Sequence, residues 1–207
     1  MRAFLKKHGH VITNLFLVVC LGRYGYDRAI QTLKAGRFDF VEIAFALHNL
    51  VMLTLILIRK QHRALNQNVF EQAIALIAFF SGILFAEART ENPLLLSLSK
   101  GVIVLAMGLG ILSFLSLGRS FGILIALREV KTGGLYKFIR HPMYFTDILW
   151  RGGMVLKNPC MLNLVIFVVS SACYIYRAAL EERFLRLQPE YREYMQKVKY
   201  RFIPHVY

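Results

Sequence analysis

Six blocks of mostly apolar residues divide the chain, at 10–30, 40–58, 69–86, 94–117, 144–156 and 161–176. A helix that crosses the hydrocarbon of a bilayer needs roughly 20 such residues, and the first four blocks approach or meet that length. The last two are shorter and are separated by Lys157-Asn158-Pro159. Asn-Pro is a turn signal, so this pair is predicted to be a tight helical hairpin. The first block is the weakest, because Arg23, Asp27 and Arg28 sit near its end. Residues 118–141 break the pattern, being basic and glycine-rich. After position 176, charges alternate with Phe184, Leu185, Leu187, Tyr191, Tyr194 and Met195, a spacing close to that of an amphipathic helix lying against a membrane or a helix bundle. The expected fold is all-α: a polytopic membrane helix bundle of five or six transmembrane helices with a C-terminal helical hairpin and an amphipathic tail helix.

Composition strengthens the membrane reading. Of the 207 residues, 57% are hydrophobic and only 18% charged, against about 45–50% and about 25% in soluble domains. The net charge of +14 would suggest nucleic acid in a soluble protein. Here the basic residues cluster between apolar blocks, as in loops that face anionic lipid, so no nucleic-acid partner is expected and the bilayer is the first partner. With six spans and an inside N-terminus, most Lys and Arg fall on the side of both termini, which the positive-inside rule assigns to the cytoplasm. The basic start and first apolar block resemble a signal peptide but lack a small-residue cleavage site, so a retained membrane helix is the better reading. Cys20, Cys160 and Cys173 form no metal-ligand or disulfide pattern, and no metal is expected.

Candidate chemistry falls in the two non-apolar segments. Gly133-Gly134-Leu135-Tyr136 through Arg140-His141-Pro142-Met143-Tyr144 combines paired glycines that permit a sharp turn with a proline suited to the first turn of a helix. A basic interfacial anchor accounts for it equally well. Arg177 and Glu181 are four apart and share a helix face at the boundary of the last block. They read either as an i,i+4 ion pair or as a functional site at a membrane-helix end. The tail, from Tyr191-Arg192-Glu193-Tyr194 to Phe202-Ile203-Pro204, alternates aromatic and basic residues in the manner of a membrane-docking segment.

Joined in order, Gly-x-Tyr-x-x-x-Arg-His-Pro-x-Tyr, the Asn-Pro turn, Arg-x-x-x-Glu-Glu and the tail ending Phe-Ile-Pro resemble the C-terminal region of isoprenylcysteine carboxyl methyltransferases. The related phospholipid methyltransferases look similar too. The resemblance runs from about 117 to 207. It implies a transmembrane bundle over 1–117 and, over 118–207, a cytoplasm-facing region that binds S-adenosyl-L-methionine. Position by position it assigns Tyr136, His141, Pro142, Met143 and Tyr144 to the cofactor, with Arg128, Glu129, Val130 and Lys131 lying along it and Glu181 as a contacting carboxylate. It assigns Arg177 to the methyl acceptor as the catalytic and substrate-binding residue. A histidine is usual where Arg128 stands and a glycine where Thr146 stands. Gly108-Leu109-Gly110 is similar to a Gly-x-Gly of phospholipid methyltransferases, but within a membrane helix it reads as packing.

The implied partner is an amphipathic or prenylated methyl acceptor. A carboxylate acceptor is already deprotonated near neutral pH and needs a cation such as Arg177. A phospholipid amine needs a base, for which Glu182 or Tyr144 would serve. Membrane sterol and steroid reductases, which use NADPH, share a similar Arg-His-x-x-Tyr segment followed by an acid, here Asp147. They lack the Glu-Glu pair. A non-catalytic membrane scaffold is the remaining alternative.

Overall fold

The protein is described by a computed structural model covering residues 2–36, 39–86, 90–204 and 206, with the backbone alone described for 2–10, 12, 13 and 35. Among the described residues seven α-helices are formed: α1 (Arg2–Ala35), α2 (Phe40–Ile58), α3 (Val69–Phe80), α4 (Pro93–Leu117), α5 (Pro142–Lys157), α6 (Met161–Leu185) and α7 (Pro189–Lys197). Two-residue strands β1 (Ala64–Leu65) and β2 (Ala126–Leu127) form an antiparallel pair, a feature the apolar pattern is too coarse to show. The fold is otherwise helical, as expected. Among the described residues, α2, α4 (with the turn that follows it) and α6 are long and apolar enough to cross a membrane.

Local signals set the boundaries. Asn68 caps α3 by accepting from the amides of Phe70 and Glu71, and Asn92 caps α4 by accepting from those of Leu94 and Leu95. Pro93, Pro142 and Pro189 each open a helix, where the missing N–H costs nothing. One boundary departs from expectation: α6 does not stop at Tyr176 but continues to Leu185. Ala178-Ala179-Leu180-Glu181-Glu182 are strong helix formers, and no breaker intervenes before Pro189. The amphipathic tail is therefore shared between the last turns of α6 and the short α7.

Helix α4 lies between α2 and α5, and α6 packs on both α3 and α5. The main core joins Leu21, Met52, Ile56, Phe114, Tyr144 and Tyr174. Leu47, Leu50, Leu105, Leu115, Val168 and Val169 are all more than half exposed, an apolar outer surface that suits hydrocarbon rather than water. The hairpin turn is fixed by Asn163, whose amide donates to the carbonyls of Asn158 and Ala86 and accepts from the Ala86 amide.

Helix α3 ends in a 3-10 turn, Ser81–Leu84, which upsets its carbonyl ladder inside the bundle. Arg151 of α5, 2% exposed, reaches that turn. One terminal nitrogen donates to the Ala78 and Phe79 carbonyls and to Ser81 Oγ, and the other donates to the Asp147 carbonyl. Its face covers the ring of Tyr174 at 4.9 Å. Buried carbonyls without donors are costly, so Arg151→Leu is expected to lower stability by about 2–4 kcal/mol. A lower unfolding midpoint in a denaturant titration of the detergent-solubilised protein checks this.

Candidate active site

The loops after α2 and α4 are paired with each other before any site residue is reached. The Lys60 amide donates to the Arg119 carbonyl, the Arg63 amide to Leu127, and the Asn66 amide to Ile125. Gln72 of α3 then holds both the amide and the carbonyl of Ile125. This bracing carries residues 128–131 across the end of the bundle. Glu129 lies between Lys60 and Lys131 at 2.6 and 2.9 Å, and their ammonium groups pull its carboxyl down to about 2. Arg128 donates to the Lys60 carbonyl and covers Gly122, where a Cβ would run into its guanidinium. Burial and the neighbouring Arg59 charge push Arg128 down to about 10.

On the facing side, Gly134 turns the chain at φ +57°, and a Cβ there would strike Ser116 of α4. Only glycine satisfies both conditions. The turn sets Tyr136 into a cluster with Tyr191, Tyr194 and Val198, and the Tyr194 hydroxyl donates to the Tyr136 carbonyl at 2.8 Å. Burial, reinforced by the Glu181 charge, pushes the Tyr136 hydroxyl well above its ordinary range, so it stays neutral. The tail is thus built into the site: Tyr191, Tyr194 and Phe202 are buried rather than displayed for membrane docking.

Glu182, 1% exposed, ties these parts together. It accepts from Arg140 Nε at 2.7 Å, faces His141 Nε2 at 3.2 Å, and pairs with Arg201 at 3.0 Å. Arg140 also donates to the carbonyls of Val198 and Lys199. The amides of Arg140 and His141 donate to the carbonyls of Tyr200 and Arg201. Glu182 is therefore fully engaged in structure, which the sequence, offering it as a possible base, does not reveal. Only the run of arginines on both sides of it hints at such a hub.

Between these walls lies a cavity of about 80 Å³. Arg128, Glu129, Val130 and Lys131 line one side, and Tyr136, His141, Met143, Tyr144 and Glu181 line the other. The structure thus brings together nine of the residues expected to hold a cofactor. Pro142 is buried at the start of α5 and does not line it. Sequence reasoning missed the tail residues Tyr191 and Tyr194 and the α4 end, Leu117 to Gly122, as wall components.

The pairing of Arg177 with Glu181 does not form. The Tyr144 hydroxyl donates to Glu181 instead, and Tyr144 stacks on His141 with the planes only 9° apart. Arg177, 2% exposed, lies under the same ring at 4.8 Å and donates to the carbonyls of Ala75 and Ile123. It lines neither this cavity nor the deeper one described below. Tyr144 is held from three sides, by an imidazole, a guanidinium and a carboxylate.

Against known proteins, the phospholipid methyltransferase family model matches residues 92–188, from the start of α4 to just past α6. Protein-S-isoprenylcysteine O-methyltransferase B of Arabidopsis thaliana is 28% identical over 167 residues, covering 75% of this chain and 81% of that protein. The chain is similar to membrane methyltransferases. Both findings bear out the resemblance carried by the Arg-His-Pro and Glu-Glu motifs, and neither points to a reductase. Among the described residues no cluster of His, Cys, Asp or Glu suits a metal ion.

Removing the Glu182 carboxylate would strand Arg140 and Arg201 without their counter-charge. Glu182→Ala is expected to cost about 3–5 kcal/mol and Glu182→Gln less, since the amide oxygen still accepts. Thermal unfolding and faster proteolysis of the tail beyond Arg186 provide the check.

Proposed function

We propose that the protein is an integral membrane S-adenosyl-L-methionine-dependent methyltransferase, similar in action to isoprenylcysteine carboxyl O-methyltransferases and acting on a lipid-like acceptor. The observation that carries this reading is the shared cavity: Tyr136, His141, Tyr144 and Glu181 face Arg128–Lys131 across one space. Every residue that lines it lies between Leu117 and Tyr194, which supports a division into a bundle over 1–117 and a cofactor-binding region over 118–207. The basic residues around the site support placing it on the cytoplasmic side.

The residues present fit a sulfonium nucleotide. When bound, that cofactor supplies an activated methyl group on a cationic sulfur. Glu181 and the faces of Tyr136 and Tyr144 suit a positive centre, while Arg128 and Lys131 suit the carboxylate of an amino-acid moiety. Leu117, Val130 and Leu185, packed around the tyrosine cluster, give apolar surface to a ring. The tail adds Tyr191 and Tyr194 to the walls, and whatever water they exclude strengthens each of these interactions. Arg177 enters through Tyr144: it fixes the ring and adds positive potential beneath it, which favours an acceptor carboxylate. As its two terminal nitrogens are committed to Ala75 and Ile123, we assign it a positioning role.

A phospholipid N-methyltransferase is the second reading, favoured by the family match over residues 92–188. There Glu181, through Tyr144, would receive the proton of an amine.

Calorimetry with S-adenosylhomocysteine and with NADPH separates the classes: the first should bind and the second should not, and the reverse result defeats the proposal. Glu181→Ala should weaken S-adenosylhomocysteine by about tenfold or more, whereas unchanged affinity removes Glu181 from the site. Labelled methyl transfer should favour farnesylcysteine over phosphatidylethanolamine, with Arg177→Lys lowering kcat more than it raises KM. A preference for the amine would select the second reading.

A further inference from the structure

A second cavity, of about 110 Å³, lies deeper in the bundle beneath the Tyr144–Tyr174 pair. It is reached by α1, α2, α4, α5 and α6 and by the 3-10 turn that ends α3. Met107 and Leu117 both belong to α4, ten residues apart and lining different cavities, which puts the second about 15 Å further along the helix. Its walls are apolar and aromatic, with Phe45, Met52, Phe79, Met107 and Trp150. Ile83, 48% exposed, stands at its rim, so the cavity opens to the side of the bundle.

The polar side chains that line this space are His48, Asn49, Asp147 and Arg151, together with the hydroxyls of Tyr24, Thr146 and Tyr174, of which Thr146 is spent on the Met143 carbonyl and Tyr174 on Asp147. Nothing in the methyl-transfer chemistry uses them. Their remaining hydrogen-bonding capacity defines what would fit. The two terminal nitrogens of Arg151 are taken up by three carbonyls and Ser81, leaving only its Nε without a partner among the described residues, and its face covers the rings of Trp150 and Tyr174. Asp147 accepts from the Tyr174 hydroxyl through one oxygen at 2.8 Å, leaving the other. His48 and Asn49 form no hydrogen bond with another described residue. His48 is fitted deliberately: a Cβ on Gly110 would stand 2.9 Å from its Nε2, so the bundle gives up a side chain on α4 to admit an imidazole.

A ligand carboxylate would meet the Asp147 charge. A ligand ammonium would meet Arg151, which already occupies the two aromatic faces that would welcome a cation. A neutral hydroxyl can donate to Asp147 and accept from His48 or Asn49, leaving an apolar body against the aromatic and methionine walls. Ionisable side chains inside an apolar membrane bundle mark a functional site by default. We propose that this cavity is a binding site for a neutral lipid alcohol that enters from the bilayer. The inference stands apart from the methyltransferase reading and survives its failure.

Trp150 lines the cavity and is the one tryptophan of the chain, so its fluorescence reports occupancy. The full chain in phosphatidylcholine nanodiscs is titrated with brominated hexadecanol, hexadecanoic acid and hexadecylamine, each of which quenches tryptophan on contact. The alcohol should quench saturably, at a concentration about tenfold or more below the other two. His48→Phe should remove that preference. The isosteric Asp147→Asn, which keeps the acceptor for Tyr174, should narrow the gap between alcohol and acid. Equal, unsaturable quenching by all three would mean partitioning into the bilayer only and would overturn the proposal. Tighter binding of the acid or the amine would overturn it as well, as would an alcohol preference that persists unchanged in Asp147→Asn.

Discussion

An apolar interior tolerates irregular backbone only where every freed carbonyl finds a donor. In this protein two arginines on neighbouring helices meet that demand, and much of the structure depends on them. Arg151 satisfies the end of α3 where it tightens into a 3-10 turn. Arg177 bridges the Ala75 carbonyl and that of Ile123, in the loop after α4. Each guanidinium is planar, always charged and forked, so it serves several oxygens at once while its face lies on a tyrosine. Lysine offers no such combination. The Nε of both remains without a partner, a sign that carbonyl bridging, not full satisfaction, fixed their positions.

The same logic with the sign reversed organises the proposed cofactor site. Glu182 gathers Arg140, His141 and Arg201 into one buried cluster, so three segments far apart in the chain converge. Its neighbour Glu181 is turned toward the cavity. Two consecutive carboxylates on one helix are therefore placed differently, one in a buried ion cluster and one facing the cavity, because successive residues on a helix point about 100° apart.

Much of this was legible in the chain. The apolar blocks located α2 and α4 to within a residue, since length and hydropathy decide a membrane helix. The glycine turn and Pro142 foretold the entry to α5. The resemblance carried by the Arg-His-Pro and Glu-Glu motifs named part of the cavity lining, Arg128 to Lys131, Tyr136, His141, Met143, Tyr144 and Glu181, and left out the walls from Leu117 to Leu127 and from the tail. What stayed hidden were long-range pairings. Spacing suggested that Arg177 would bond Glu181 four residues on, but Tyr144 from another helix competes for the carboxylate and backbone carbonyls compete for the guanidinium. The tail looked like a membrane anchor because Tyr and Arg alternate there, and no local pattern shows that the hydroxyl of Tyr194 ends on the Tyr136 carbonyl. Nor could Gly110 be told from ordinary packing until His48 was seen against it.

The backbone pairing of Arg140 and His141 with Tyr200 and Arg201 spans the whole α5–α6 hairpin. Such a contact closes a long loop, and loops of that kind form late in folding. The hairpin must be in place before the tail can dock on it, so the walls that Tyr191 and Tyr194 give the cavity are the last to be set. A quality-control protease that reads a loose tail would thus discard those copies in which the cavity beside Arg128 to Lys131 still lacks its Tyr191 and Tyr194 wall.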